Sequence, residues 1–151
     1  MVGRLGRLTR GIPVVSTGLA LADALRALGV RRIMLVHPPW FDAGLADLGR
    51  GYLGAAGAEV LLSAAAGLPS DQRAITPEGL HDWVAAEAPP GAEAVVIGGN
   101  GFRAVGAVEA LEATLGVPVV TANQALLWAL LRAAGADPAA VRGHGRLFRM
   151  G

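Results

Sequence analysis

At 151 residues, 53% apolar and 17% charged, the chain is long enough for one domain with a buried core and too hydrophobic for a disordered tail. A formal net charge of +1 gives no general attraction to nucleic acid or to an acidic membrane surface, and neither is expected as a partner. There is no cysteine, and all 13 basic residues are arginine, which excludes disulfides, thiolate nucleophiles, Schiff-base lysines and P-loop lysines.

The chain reads as a basic segment, residues 1–10, followed by a single α/β domain over 11–151. Arg4, Arg7 and Arg10 precede an apolar run from Ile12 to Ala22, a pattern shared by cleaved leaders and by a strand followed by a helix. The spacing of Leu21, Leu25 and Leu28, closed by Gly29, favours a strand at Ile12–Val15 and a helix from about Gly18 to Leu28. Ile33–Val36 is a buried strand, stopped by His37-Pro38-Pro39 because consecutive prolines have no N–H to give a ladder. A helix follows from about Asp42 to Ala56, then a strand at Glu59–Leu62 and a loop from Ala65 to Ile75.

Thr76-Pro77-Glu78 opens the next helix, with threonine as N-cap and proline at the first helical position, and that helix runs to about Ala88. Ala94–Ile97 is a strand ending in the loop Gly98-Gly99-Asn100-Gly101. A helix from about Arg103 to Leu115, a strand at Val117–Thr121 and a helix from Asn123 to Ala134 complete the order. The most apolar long run, Val117–Ala136, contains Asn123, Gln124 and Arg132 and so falls short of the roughly 20 uninterrupted apolar residues of a membrane span. The cysteine-free chain is compatible with the cytoplasm, the compartment expected for it.

Strands alternating with helices over short connections imply a doubly wound, mostly parallel sheet of four to five strands with helices on both faces. Ligands of such sheets sit beyond the carboxyl ends of the strands. Here those ends carry Ser16-Thr17, His37-Pro38-Pro39-Trp40, Gly98–Gly101 and Thr121-Ala122-Asn123, each before a helix and suited to a small anion. Gly98, Gly99, Asn100 and Gly101 form either an anion-binding nest of amides or a tight turn. Ser16, Thr17 and Asn123 are ligand contacts or helix caps.

His37 is the candidate catalytic acid or base, with a strand-end structural histidine as the alternative. His81 and His144 have no metal-ligand spacing, and no metal site is expected. Arg103 is placed at a helix start, where a cation opposes the macrodipole, so either an anion lies beside it or it is a surface residue.

Residues 116–135, Gly-Val-Pro-Val-Val-Thr-Ala-Asn-Gln-Ala-Leu-Leu-Trp-Ala-Leu-Leu-Arg-Ala-Ala-Gly, are similar to a known family pattern, G-x-P-V-x-S-S-N-Q-A-x-x-W-x-x-L-R-x-A-G. That pattern is the closing strand and helix of the superfamily of maleate isomerases, arylmalonate decarboxylases and Asp/Glu racemases. The segment A-L-G-V-R-R-I-M-L-V ending at Val36, Leu111-Glu112 with Leu115-Gly116, and the tail Gly143–Leu147 also resemble it.

The resemblance implies a flavodoxin-like half of a two-domain enzyme, working without metal or organic cofactor as an isomerase, racemase or decarboxylase of a small (di)carboxylate. It also implies carboxylate binding by backbone amides and hydroxyls, with Arg103, Asn123 and Gln124 retained. The family's S-C-T-N-L-R reads here Gly98-Gly99-Asn100-Gly101-Phe102-Arg103, so the catalytic cysteine position is Gly99. The family's T-P-Y reads His37-Pro38-Pro39, without the carboxylate-binding tyrosine. Such a chain is expected to act as an altered enzyme using His37, or as an inactive carboxylate-binding or structural half. Either form is expected to pair with another copy or with a first-domain partner.

Overall fold

The computed structural model describes Gly6 and residues 8–150. Arg4 and Arg7 of the basic segment, and Gly151 of the tail, lie outside the described residues. Ser16 caps helix α1 (Thr17–Leu28), its hydroxyl accepting from Leu19 N–H. The helix ends where Gly29 adopts φ 69°, which lets its N–H turn back to Arg26. β1 (Arg32–His37), α2 (Ala43–Ala55), β2 (Glu59–Ala65), α3 (Pro77–Glu87), β3 (Ala94–Ile97), α4 (Val108–Leu115), β4 (Val119–Thr121) and α5 (Ala122–Ala133) follow.

The four strands lie in the order β2-β1-β3-β4, every neighbouring pair parallel. Alternation along the strands divides the core. Ile33, Leu35, Ala94, Val96 and Val120 pack beneath α1, α2 and α5 with Trp128 and Phe148. Met34, Val36, Val95, Ile97 and Val119 pack beneath α3 and α4 with Leu80, Val84 and Leu111. The doubly wound parallel architecture expected from the alternation is therefore the one observed. No helix among the described residues is long and apolar enough to cross a membrane.

Two expectations are corrected. Ile12–Val15 is not a strand: residues 12–16 have no regular structure. Pro13 has no N–H for a ladder, and Val15 packs against the core as coil. Nor does Arg103 open a helix. Phe102 is buried, Ala104 N–H turns back to Phe102 C=O, and a short 3-10 turn at Val105–Ala107 precedes α4. Gly106, a weak helix former, sits inside that turn, and a Cβ there would approach Pro77 to 3.0 Å. The macrodipole argument for an anion at Arg103 falls with the helix.

The amino ends of the two central strands are fastened by one carboxylate. Glu93 accepts from the backbone N–H groups of Arg31 (2.8 Å) and Arg32 (3.0 Å) and from Arg32 Nε (3.2 Å). These bonds, the Arg32 N–H foremost, hold its carboxyl down from 4.5 to about 2. Because the folded value is depressed, the stabilisation is full above pH 4.5 and is lost as pH falls through about 2. Glu93→Gln will lower the melting temperature at pH 7, and the gap from the native chain will narrow steadily below pH 4.5 in a thermal-unfolding series. A gap that stays constant across that range would count against this role.

Candidate functional site

The chain leaves β1 toward β2 on one side and returns to β3 on the other, so strand order reverses between β1 and β3. At such a reversal the two connections diverge and leave a crevice at the carboxyl ends. β1 ends beside it in His37 and Pro38, and β3 in Gly98–Gly101.

Gly98 still belongs to the sheet, its N–H donating to Val36 C=O at 2.8 Å. Gly99 leaves it with φ 82°, a conformation side-chain-bearing residues rarely adopt. A Cβ on Gly99 would lie 2.4 Å from Pro38 Cγ and 3.1 Å from Pro38 Cδ. The proline ring therefore fills the space a side chain at position 99 would need. Phe102 N–H closes the turn on Gly99 C=O (3.1 Å), and the Phe102 ring meets Trp40 edge-on at 5.8 Å. The N–H groups of Gly99, Asn100 and Gly101 have no protein acceptor among the described residues.

Asn100 and Asn123 hold each other across the crevice. Asn100 Nδ2 donates to Asn123 Oδ1 (3.2 Å), and Asn123 Nδ2 donates to Asn100 C=O (3.0 Å). Asn123 is free to do this because it is not the cap of α5. Thr121 and Gln124 form a capping box there, and Gln124 Nε2 also donates to His144 C=O at 2.6 Å. Asn100, Gly101, Arg103 and Asn123 line one cleft of about 430 Å³, with Ile75, Phe102 and Val105 as its apolar part. Arg103 is exposed there and has no carboxylate partner among the described residues.

The remaining candidates fall elsewhere. His37 is 2% exposed and lies on the sheet face covered by α2, outside the cleft. Its Nε2 is 2.9 Å from Ser63 Oγ, and its ring stacks on Phe41 at 6.0 Å. Burial lowers its pKa, an effect the Asp47 carboxylate opposes in part, so the ring is neutral at pH 7. Ser16 caps α1 and Thr17 is its first residue; neither lines the cleft.

His81 is occupied at both nitrogens, by Asp82 and Thr114, each at 2.9 Å. Among the described residues no group of three His, Cys, Asp or Glu could hold a metal. Sequence reasoning missed Pro38 as the occupant of the side-chain space at Gly99, and it missed Ser63. The one signal for Ser63 was a lone hydroxyl immediately after an apolar run read as ending at Leu62.

Fold and cleft together define an open parallel α/β domain with an arginine-bearing cleft beyond the carboxyl ends of β3 and β4. The sequence model of the arylmalonate decarboxylase family matches residues 1–148, and the chain belongs to that family. It is 32% identical over 150 residues to an arylmalonate decarboxylase of Bordetella bronchiseptica, which covers 91% of this chain and 58% of that protein.

Its fold matches that of the maleate isomerase Iso of Pseudomonas putida S16, solved with maleate as a cysteine-to-alanine variant. The TM-score is 0.89 at 27% identity, over 99% of this chain and 61% of the other. It also matches a cysteine-to-serine mutant of the Nocardia farcinica maleate cis-trans isomerase with a covalently bound succinylcysteine intermediate. There the TM-score is 0.82 at 28% identity, over 92% of this chain and 57% of that one. The chain thus spans less than two thirds of the length of these relatives.

Proposed function

We propose that this chain is the carboxylate-holding α/β half of a cofactor-independent isomerase or decarboxylase of small mono- and dicarboxylates, working in the cytoplasm with a second copy or a first-domain partner. The observation that carries the reading is the cleft itself. The backbone at Asn100 and Gly101, whose N–H groups have no protein acceptor among the described residues, Arg103 and the Asn100–Asn123 pair line one opening beyond the carboxyl ends of β3 and β4. Such donors hold a carboxylate, and they stabilise the enediolate that forms when a proton or carbon dioxide leaves the adjacent carbon. His37, neutral and buried beside Gly98 on the α2 side of the sheet, is the acid/base candidate, although it lies outside the cleft.

One observation favours a second reading, a carboxylate-binding half without turnover of its own. The ring of Pro38 fills the space over Gly99, the position that matches the family's cysteine, so the chain has neither the thiol nor the room for one.

Thermal-shift titration with maleate, malonate, aspartate and glutamate tests the binding. The melting temperature should rise with the concentration of at least one of these acids, as it does for any ligand of the folded state. Arg103→Ala should weaken that ligand by about 10- to 100-fold, the loss of one charge-assisted pair. No shift with any acid, or an equal shift in Arg103→Ala, would remove the cleft as the site.

A further inference from the structure

The loop that leaves β3 is fixed at both ends, by Gly98 N–H donating to Val36 C=O (2.8 Å) and by the buried Phe102. Between them Asn100 stands flanked by two glycines, the residues that leave a backbone freest to move. Among the described residues, Asn100 and Gly101 make only two hydrogen bonds to the protein, and both go to the side chain of Asn123. The Asn100 carbonyl can only accept, so the nitrogen of the Asn123 amide must face it (3.0 Å). The Asn123 oxygen is left to accept from Asn100 Nδ2 (3.2 Å).

Asn123 itself is firmly mounted. It lies in the first turn of α5, where Thr121 and Gln124 form the capping box and Ala122, Gln124 and Ala125 are buried. Gln124 Nε2 ties that turn to His144 C=O at 2.6 Å. We propose that Asn123 is a positioning residue of the cleft: through Asn100 it holds the backbone of Asn100 and Gly101 in one conformation before a ligand arrives. This rests on the reading of that cleft as a carboxylate site. A loop that samples many conformations loses that freedom on binding, and the loss weakens the affinity. With the two bonds to Asn123 made, the ordering is complete in the folded chain. Both polar atoms of the Asn123 amide are engaged with one loop residue, which leaves a single N–H of Nδ2 for anything else.

The test is backbone nitrogen-15 relaxation of the native chain and of Asn123→Ala, Asn123→Asp, Asn100→Ala and Arg103→Ala. Each is also titrated with maleate, malonate, aspartate and glutamate in thermal unfolding. Asn123 is exposed, so its replacement leaves the core intact. Native Asn100 and Gly101 should have order parameters of about 0.85, and Asn123→Ala should lower them to about 0.6 or below. Asn123→Asp keeps the acceptor for Asn100 Nδ2 but sets an oxygen against the Asn100 carbonyl, and Asn100→Ala keeps only the bond to that carbonyl. Both should fall between. Arg103→Ala breaks no bond of the loop and should leave its order unchanged. Asn123→Ala should weaken the acid that binds the native chain by about 10-fold.

Unchanged order parameters in Asn123→Ala would overturn the positioning role, and a weaker acid beside an unchanged loop would make Asn123 a ligand contact instead. A loosened loop that binds the acid as tightly as the native one would also overturn it. If no acid shifts the native melting temperature, the carboxylate reading fails, and relaxation still decides whether Asn123 holds the loop.

Discussion

Gly99→Cys will not restore a reactive thiol to this chain; it will lower the melting temperature by roughly 10 °C. Two costs add. A side-chain-bearing residue held at φ 82° loses on the order of 1–3 kcal/mol. A Cβ placed 2.4 Å from Pro38 Cγ forces the proline ring or the loop to move, and overpacking of that kind costs a further 1–3 kcal/mol or so. For a domain of this size each kcal/mol is about 2–4 °C.

Gly99→Ala should show nearly the same loss, because the conflict arises at Cβ. Pro38→Ala combined with Gly99→Cys should recover the steric part and leave the backbone part. Thermal unfolding separates the four proteins, and a thiol-reactive dye shows whether the cysteine is accessible. Equal melting temperatures for native and Gly99→Cys would show that Pro38 is not the obstacle the geometry makes it.

Glu112→Ala is expected to cost about 3 kcal/mol, because it strips charge-assisted acceptors from buried N–H groups. Glu112 is buried on α4, yet it accepts from Val119 N–H (3.0 Å) and Arg146 N–H (3.0 Å) and lies 3.9 Å from Arg146 Nε. It joins α4, the last strand and the tail, which returns to the core through the buried Leu147 and Phe148. Glu112→Gln keeps an acceptor and should lose less than half as much. Limited proteolysis of Glu112→Ala should open the segment 137–150 before the rest. If cleavage begins elsewhere and the stability loss is under about 1 kcal/mol, the carboxylate is not what fastens the tail.

Most of the fold was readable because it is written in local signals. Thr76-Pro77 starts α3 where a cap and a first-turn proline require, and Gly29 ends α1 in the left-handed conformation its position demanded. Runs such as Ala94–Ile97 match their strand residue for residue, since four buried apolar residues between turn formers have few other uses.

The misses have tertiary causes. Ile12–Val15 has strand composition, but with Pro13 inside it no ladder position was open to it. Arg103 is expected at a helix start, whereas Ala104 N–H turns back to Phe102 C=O and a 3-10 turn at Val105–Ala107 delays the helix to Val108. The site was legible to the extent that it is one loop. Of the residues expected to touch a ligand, Asn100, Gly101, Arg103 and Asn123 line the cleft, and Ser16, Thr17, His37, Gly98 and Gly99 do not. The pairing of His37 with a serine 26 residues away, and the proline ring over Gly99, depend on which strands become neighbours.

The bonds that cap β4 also determine how this sheet meets other molecules. In its pairing with β3, β4 directs the N–H groups of Val119 and Thr121 outward, where a fifth strand would seek its partners. Both donors are already taken by side chains, Val119 N–H by Glu112 and Thr121 N–H by Gln124. That margin of the sheet is blunted against strand addition, a protection against edge-to-edge aggregation built from two side chains. A strand laid beside β4 would find both of these donors occupied.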